Sequence, residues 1–225
     1  IIRDFSVKVK PGMKVAIVGP TGAGKTTLIN LLMRFYEPNS GYISIDGVPT
    51  REMKRSDVRQ LFGMVLQDTW LFSCTVEEHL RYGNQNATLD DIKKAAKSSN
   101  VEHVIEALPK AYKTMISEDS DNISAGEKQL LTIARAMVAD PPMMILDEAT
   151  SALDNTSEKH VQKEIEKLKS EYDTTIISIA HRLTTLQNCD EIIVIDKGKI
   201  VQRGTFDQLS NTPGIFQDMK NGVLK

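Results

Sequence analysis

The chain has 225 residues, with little cysteine and no excess of one charge. Its two cysteines, Cys74 and Cys189, lie far apart and form no CxxC pair or cluster with histidine, which indicates neither a disulfide scaffold nor a zinc site. The 28 Lys and Arg residues nearly balance the 30 Asp and Glu residues, so the chain lacks the positive field that binds a nucleic-acid backbone. We therefore expect a reducing compartment and no nucleic-acid partner.

Long apolar runs are also absent. No run approaches the roughly 18 to 20 apolar residues of a membrane-spanning helix, and the first ten residues lack the apolar block of a signal peptide. If a membrane matters to the function, we expect another polypeptide segment to cross it. What remains is an ordinary globular composition, 40% hydrophobic and 26% charged, which argues against a disordered chain.

Strand-like and helix-like segments alternate at both ends of the chain. The alternation of apolar and polar residues in FSVKVK, residues 5–10, predicts a half-buried strand. Continuous apolar runs predict buried strands at KVAIV, MMIL, TTIISIA and EIIVID. Between residues 69 and 129 helical segments dominate instead. We therefore predict an α/β core formed by residues 1–68 and 130–225, interrupted by a helical insertion at 69–129.

A glycine-rich loop follows the KVAIV strand. GPTGAGKT, residues 19–26, satisfies the pattern G-x-x-x-x-G-K-[ST] between a predicted strand and a predicted helix. Gly22 and Gly24 allow the backbone to wrap so that amide N–H groups face phosphates, and the helix dipole adds positive potential. Lys25 can reach the outer phosphates, and Thr26 can hold Mg²⁺. The loop therefore predicts a binder of nucleoside triphosphates, without identifying which kind.

Two adjacent carboxylates, Asp147 and Glu148, follow the MMIL strand. The carboxyl ends of strands are where α/β proteins hold their ligands. Asp147 is suited to Mg²⁺, directly or through water. Glu148 can polarise an attacking water, a role that contributes about 10²- to 10⁴-fold to a rate. The two residues are therefore candidates for metal binding and for catalysis.

Further polar residues stand at informative places. Gln67 ends a short strand, where its amide can ligate Mg²⁺ or orient water, and His181 follows TTIISIA, where it can contact a γ-phosphate. Ser124, followed three residues later by Glu127, is the capping-box pattern and predicts the start of a helix. The remaining histidines lie in predicted helices, and we expect them at the surface: His79, His103 and His160.

Taken together, these segments resemble the nucleotide-binding domain of ABC transporters, in particular of the exporter type, over essentially the whole chain. The matching motifs are the Walker A loop GPTGAGKTT, the Q-loop around Gln67, the signature ISAGE, the Walker B segment MMILDE, the D-loop SALD ending at Asp154 and the switch histidine His181. Their order and spacing are far more specific than the glycine loop alone. LFSCTVEEHLRYG, after the Q-loop, resembles the exporter pattern and favours exporters over importers.

The resemblance implies both a fold and an assembly. The fold is a P-loop NTPase (RecA-like) core with an inserted α-helical subdomain and an antiparallel β part at the N-terminus. The assembly is a head-to-tail dimer of two nucleotide-binding domains, identical or different, with Mg-ATP between the Walker A loop of one and the signature helix of the other. ATP binding closes this dimer and hydrolysis reopens it, which moves the transmembrane domains from the cytoplasmic face of the membrane.

Site residues carry over position by position as implications of the resemblance. Ser124 and Gly126 would contact the γ-phosphate of the partner's ATP, Asp154 would couple the two sites, and Gln67 would sense the transmembrane domains. The implied nucleotide contacts are Gly19, Pro20, Thr21, Gly22, Ala23, Gly24, Lys25, Thr26, Thr27, Gln67, Ser124, Gly126 and Asp154. The implied metal ligands are Thr26, Gln67 and Asp147. The implied catalytic residues are Glu148, His181, Gln67 and Lys25.

The chain departs from the family pattern in its signature, where LSGGQ becomes ISAGE. Ala125 replaces a glycine, and Glu127 places a carboxylate near a polyanion, so we expect weaker ATP-driven dimerisation. Glu127 can also fold back onto the N–H of Ser124 and keep the helix start formed. At the other end, the family's first strand and its adenine-stacking aromatic residue lie upstream of the position of Ile1 and are absent from this chain.

Other functions fit the residues less well. The main alternative is a regulatory domain of a heterodimeric transporter that binds ATP but hydrolyses it weakly, against which Glu148 and His181 argue. A soluble ABC protein acting on DNA or ribosomes would need a second such domain or a coiled-coil insertion. A metabolic P-loop kinase would leave SAGE and SALD unexplained. The transported substrate cannot be predicted, because it would meet membrane helices outside this chain.

Overall fold

The computed structural model of the chain describes residues 2–67, 69–119, 123–150, 152–180 and 183–222, with Leu183 by its backbone only. The strands are β1 Lys14–Val18, β2 Ser44–Ile45, β3 Val48–Pro49, β4 Phe62–Val65, β5 Cys74–Thr75, β6 Met115–Ile116, β7 Met143–Asp147, β8 Thr175–Ile179, β9 Glu191–Asp196 and β10 Lys199–Gly204. The helices are α1 Lys25–Leu32, α2 Arg55–Gln60, α3 Val76–Arg81, α4 Leu89–Ser98, α5 Glu102–Ala107, α6 Ala125–Val138, α7 Asn155–Tyr172, α8 Leu183–Gln187, α9 Phe206–Ser210 and α10 Ile215–Lys220.

The chain forms two compact units, each described by itself. The first comprises Ile1–Phe62 and Asp173–Lys225; four of its strands have the order β10-β9-β1-β8, and β2 pairs with β3 separately. β1 runs parallel to both β8 and β9, while β10 returns antiparallel to β9 through a tight turn. All five residues of β1 and of β8 are buried. A parallel strand covered on both faces needs such a continuous run, which is why KVAIV and TIISI fold this way.

The second unit, Gly63–Tyr172, is largely helical. Within it β7 lies beside β4, and α3 and α4 pack against α6. α6 carries its apolar positions at helical spacing, with Leu130, Ile133 and Ala134 buried. A short antiparallel pair, β5 with β6, was not predicted, because two-residue strands leave no periodic signal. Among the described residues, no helix combines the length and apolar composition needed to cross a bilayer.

The structure confirms the predicted class, an α/β fold with a parallel sheet, helices and antiparallel strands. One predicted element is wrong: residues 5–10 form no strand, although their burial alternates as FSVKVK suggests. Alternation reports which side chains face the core, whereas a strand also needs a neighbouring backbone to pair with. The boundaries of the helical insertion, 69–129, stay a prediction.

Candidate functional site

The Walker A loop joins the carboxyl end of β1 to the first turn of α1. A Cβ atom on Gly19 would lie 2.1 Å from the carbonyl oxygen of Ile195, so only glycine fits at this point. Gly22 and Gly24 have φ angles of +81° and +111°, a region that other residues avoid. These glycines therefore shape the loop for steric reasons that the sequence pattern already indicated.

The β9–β10 turn supports this loop from the side. The N–H of Gly198 donates to the carbonyl oxygen of Ala23 at 2.9 Å, and the carbonyl of Gly198 accepts from the N–H of Arg3 at 2.8 Å. Ile2 lies against Gly24, where a Cβ would come within 2.8 Å of its Cδ1 atom. The loop is thus held by the backbone of a distant hairpin, a support that the sequence analysis missed.

Lys25 holds its charge over the loop. Its Nζ donates to the carbonyl oxygens of Gly19 at 2.6 Å and Pro20 at 3.1 Å. The helix cap at Gly24 makes no side-chain hydrogen bond, and Thr21, Gly22 and Thr26 are exposed. A helix N-terminus whose cap residue makes no side-chain hydrogen bond, with an ammonium beside it, fits an anion such as a triphosphate.

The acidic pair lies at the end of β7 in the second unit. Asp147 is the last residue of the strand, and Glu148 follows with a φ of +50°. Left-handed backbone at a residue with a Cβ costs about 1–3 kcal/mol and often occurs at functional sites. The side chain of Gln129 reaches this point, with Nε2 donating to the carbonyl oxygen of Glu148 at 3.4 Å.

The signature segment begins α6 as predicted. The Ser124 side chain accepts from the N–H of Glu127 at 3.3 Å, and the Glu127 carboxylate accepts from the N–H of Ser124 at 2.7 Å. The same carboxylate also accepts from the Ser124 hydroxyl at 2.8 Å. The predicted capping box is confirmed, and it directs the hydroxyl proton of an exposed Ser124 towards Glu127.

Asp154 begins the next helix, α7. Its Oδ1 accepts from the N–H groups of Thr156 at 2.9 Å and Ser157 at 3.1 Å, the pattern of an N-cap. Hydrogen bonds from the side chain and backbone of Ser157, and then from Thr156, lower the pKa of Asp154. The residue that the resemblance assigns to the D-loop therefore also has a local structural role.

The remaining candidates differ in what the structure says of them. Gln67 is exposed two residues after β4, and His181 lies outside the described residues. The prediction that His79 lies at the surface is wrong, since His79 is fully buried in the second unit, whereas His103 and His160 are exposed. Helical spacing explains the error, because His79 and Leu80 share the buried face of α3 with Val76.

An exposed apolar group around Phe72 and Tyr82 in the second unit was not singled out from the sequence. The rings of Phe72 and Tyr82 pack at a tilt of 42° with centroids 4.8 Å apart, and the guanidinium of Arg135 lies 5.5 Å from the Phe72 centroid. Leu66, Trp70 and Met115 in the same unit also keep 40% or more of their surface exposed. No period links these residues along the sequence, so only the fold shows that apolar surface is left uncovered here.

Comparison with known proteins identifies the family to which the chain belongs. The ABC transporter family model matches residues 2–151, from before the Walker A loop to beyond the Walker B pair. The chain belongs to the ABC transporter family. Within that family it is similar to the ATP-binding part of ATP-binding/permease proteins and of a solved exporter.

The similar proteins include two bacterial ATP-binding/permease proteins. The fatty acid ABC transporter ATP-binding/permease protein of Mycobacterium bovis is 49% identical over 219 residues, which are 97% of this chain and 34% of that protein. The β-(1→2)glucan export ATP-binding/permease protein NdvA of Brucella suis is 44% identical over 225 residues, 100% of this chain and 37% of that protein. The chain thus spans about a third of these ABC transporters.

A solved ABC exporter shares the fold. The structure of a bacterial Atm1-family ABC exporter with ATP bound superimposes with a TM-score of 0.93 and 38% sequence identity. The match covers 99% of this chain and 39% of that exporter chain. The fold of nearly all of this chain therefore has a counterpart in that exporter.

Proposed function

We propose that the chain binds and hydrolyses ATP at the cytoplasmic face of a membrane and drives the transmembrane domains of an exporter. The observation that carries this proposal is the Walker A loop, whose left-handed glycines open onto the uncapped start of α1 under the Lys25 ammonium. In this proposal Lys25 and the loop N–H groups bind the phosphates. The names of the similar proteins, ATP-binding/permease and export proteins, support coupling to a permease.

Magnesium would accompany the nucleotide. The predicted ligands Thr26, Gln67 and Asp147 supply hydroxyl, amide and carboxylate oxygens, the donor types that suit Mg²⁺. Within the described ranges, no three His, Cys, Asp or Glu side chains form a group that could hold a metal ion. The set therefore fits a cation that keeps waters and shares phosphate oxygens rather than one caged by protein. When bound, Mg²⁺ neutralises phosphate charge.

Glu148 is the proposed general base. Its carboxylate would accept the proton of the attacking water, while Asp147 before it would face the metal and His181 the γ-phosphate. The hydrogen bond from Gln129 to its carbonyl fixes the backbone of Glu148 in its left-handed conformation. A base held in place in this way loses little freedom when it reacts.

A second nucleotide-binding domain would complete the site. Ser124 is exposed at the start of the 14-residue helix α6, whose dipole and first N–H groups suit the γ-phosphate of ATP held by a partner. A Cβ on Gly126 would lie 3.0 Å from the carbonyl oxygen of Ala152, a tight contact that glycine avoids. Asp154 would couple the two sites. The partner is a second copy or a related domain.

The exposed apolar group around Phe72 and Tyr82 is the proposed contact with the transmembrane domains. Apolar surface of this kind, rimmed by the charge of Arg135, is characteristic of an interaction site. It lies in the same unit as Gln67, the residue proposed to sense those domains.

The test is Mg-ATP hydrolysis measured per chain as a function of protein concentration. We expect the rate per chain to rise with concentration, because two chains are needed for each site. The matched control, Glu148→Gln, should lower the rate by about 10²-fold or more while ATP still binds. A rate independent of concentration would contradict the dimer, and full activity of Glu148→Gln would contradict the base assignment.

A further inference from the structure

The side chain of Gln129 links two parts of the second unit. It lies on α6, five residues after Ser124, and none of its surface is exposed. Its Nε2 donates to the carbonyl of Glu148 at 3.4 Å, and its Oε1 accepts from the N–H of Ala152 at 3.0 Å. One carboxamide thus binds the backbone on both sides of the turn that follows β7.

A second contact joins the same two elements. A Cβ on Gly126 would lie 3.0 Å from the carbonyl oxygen of Ala152, so the backbones of α6 and of the turn approach closely. Gly126 and Gln129 are three residues apart and therefore share one face of the helix. The turn after β7 is consequently fixed to the first turns of α6 at two successive levels.

We propose that Gln129 is a positioning residue that makes the signature end of α6 and the backbone of Glu148 move as one body. The inference rests on the proposed function, in which Ser124 contacts the partner's ATP while Glu148 is the general base for ATP held by its own chain. A shift of α6 on contact with the partner's nucleotide would then change the position of Glu148. Hydrolysis would in this way depend on occupation of both sites.

Packing alone does not account for a glutamine at this position. The site is fully buried, and burying an amide among apolar groups costs free energy unless its donor and its acceptor are both paired. A carboxamide can donate and accept at the same time. Here the carbonyl of Glu148 needs a donor and the N–H of Ala152 needs an acceptor. An apolar side chain would fill the space and leave the N–H of Ala152 without this partner.

The test compares Gln129→Met, which keeps the length of the side chain and removes both hydrogen bonds, with Thr132→Val. Thr132 is buried on the same helix and its hydroxyl donates to the carbonyl of Lys128 within α6, so its variant loses a hydrogen bond without touching the turn. We expect Gln129→Met to lower kcat for ATP about tenfold or more, with KM unchanged. Thr132→Val should leave both constants unchanged.

A double variant separates positioning from general damage. If Gln129 acts through Glu148, Gln129→Met should lower the residual rate of Glu148→Gln no further. Where Gln129→Met does not fold, Gln129→Glu serves, since it keeps the acceptor for Ala152 and removes only the donor to Glu148. ATP affinity equal to that of the unsubstituted chain shows that a variant is folded.

The outcomes are distinct. A fall in kcat at constant KM that vanishes in the Glu148→Gln background supports the inference. Normal kcat in folded Gln129 variants, or an equal additional loss in the Glu148→Gln background, overturns it and leaves the proposed function intact. Absence of hydrolysis in the unsubstituted chain overturns the proposed function and the inference with it.

Discussion

The two regions that carry the candidate site are built differently. The Walker A loop is shaped by backbone: glycines, a close approach to Ile195 and a hydrogen bond from Gly198. The signature start, the turn after β7 and the start of α7 are instead held by the side chains of Glu127, Gln129 and Asp154, respectively. A region shaped by close backbone contacts loses its structure when an atom is added. A region held by side-chain hydrogen bonds instead weakens by degrees as those bonds are removed or as the pH changes.

The largest effect should come from adding one carbon to the Walker A loop. Gly19→Ala would bring a Cβ to 2.1 Å from the Ile195 carbonyl oxygen, so the loop or β9 must move. We expect loss of ATP binding and destabilisation of at least about 3 kcal/mol, the upper end of overpacking costs. Denaturant unfolding and nucleotide titration measure the two effects.

Gly22→Ala is the matched control, since the same carbon there meets no atom within 4 Å. It carries only the strain of a positive φ, about 1–2 kcal/mol. Equal damage from the two substitutions would show that conformational strain, and not the contact with Ile195, limits the loop.

Acid should destabilise the second unit through His79. Burial, aided by the charge of Arg135, lowers the pKa of His79 to about 4. Between about pH 6.5 and 4 the unfolded chain therefore binds a proton that the folded chain excludes, and stability falls as the pH falls through this window. At about 1.4 kcal/mol for each pH unit, the loss is about 3 kcal/mol at most.

His79→Leu, a replacement of similar volume, should remove this loss, as unfolding measured at several pH values would show. His103→Leu is the control, because it removes an exposed histidine from α5 of the same unit. If the pH dependence survives in His79→Leu, other groups cause it.

The contrast between the regions also explains what could be predicted. The Walker A loop between a strand and a helix and the capping box at Ser124 follow from residues a few positions apart, and the structure confirms them. Local spacing is enough there because the residues that define each pattern stand within a few positions of one another.

Contacts made over long distances along the chain could not be predicted. Gln129 meets Glu148 and Ala152 across 19 and 23 positions, and nothing in the signature pattern indicates that its amide is buried between them. The burial of His79 and the unpaired FSVKVK segment depend likewise on which neighbours the fold brings close. Such outcomes are set by tertiary packing rather than by propensity.

A smaller effect should follow from Glu127→Gln. Glutamine preserves the capping box, since its amide oxygen can still accept from the N–H of Ser124. In the proposed dimer it also removes a charge that would lie near the partner's ATP. We expect dimerisation in Mg-ATP to tighten roughly fivefold, from about 1 kcal/mol between charges about 4 Å apart in water. Sedimentation in Mg-ATP measures the dimer affinity of Glu148→Gln with and without the added Glu127→Gln substitution.

The control, Glu171→Gln, removes the same charge from the exposed end of α7. A dimer no tighter with Glu127→Gln than with Glu171→Gln would show that the carboxylate of the capping box does not weaken the closed state.

The smallest effect concerns the cap of α7. The pKa of Asp154 is lowered by its hydrogen bonds to Ser157 and Thr156, so the stabilisation from this ionised cap is present above about pH 4 and is lost as the pH falls through the lower folded pKa. Asp154→Ala should lower the thermal midpoint slightly at neutral pH. Asp154→Asn, which can still cap the helix, should restore the midpoint while removing this part of its acid sensitivity.

If Asp154→Asn also weakens the dependence of hydrolysis on protein concentration, the carboxylate acts between subunits as well as at the helix end, because the asparagine preserves the cap.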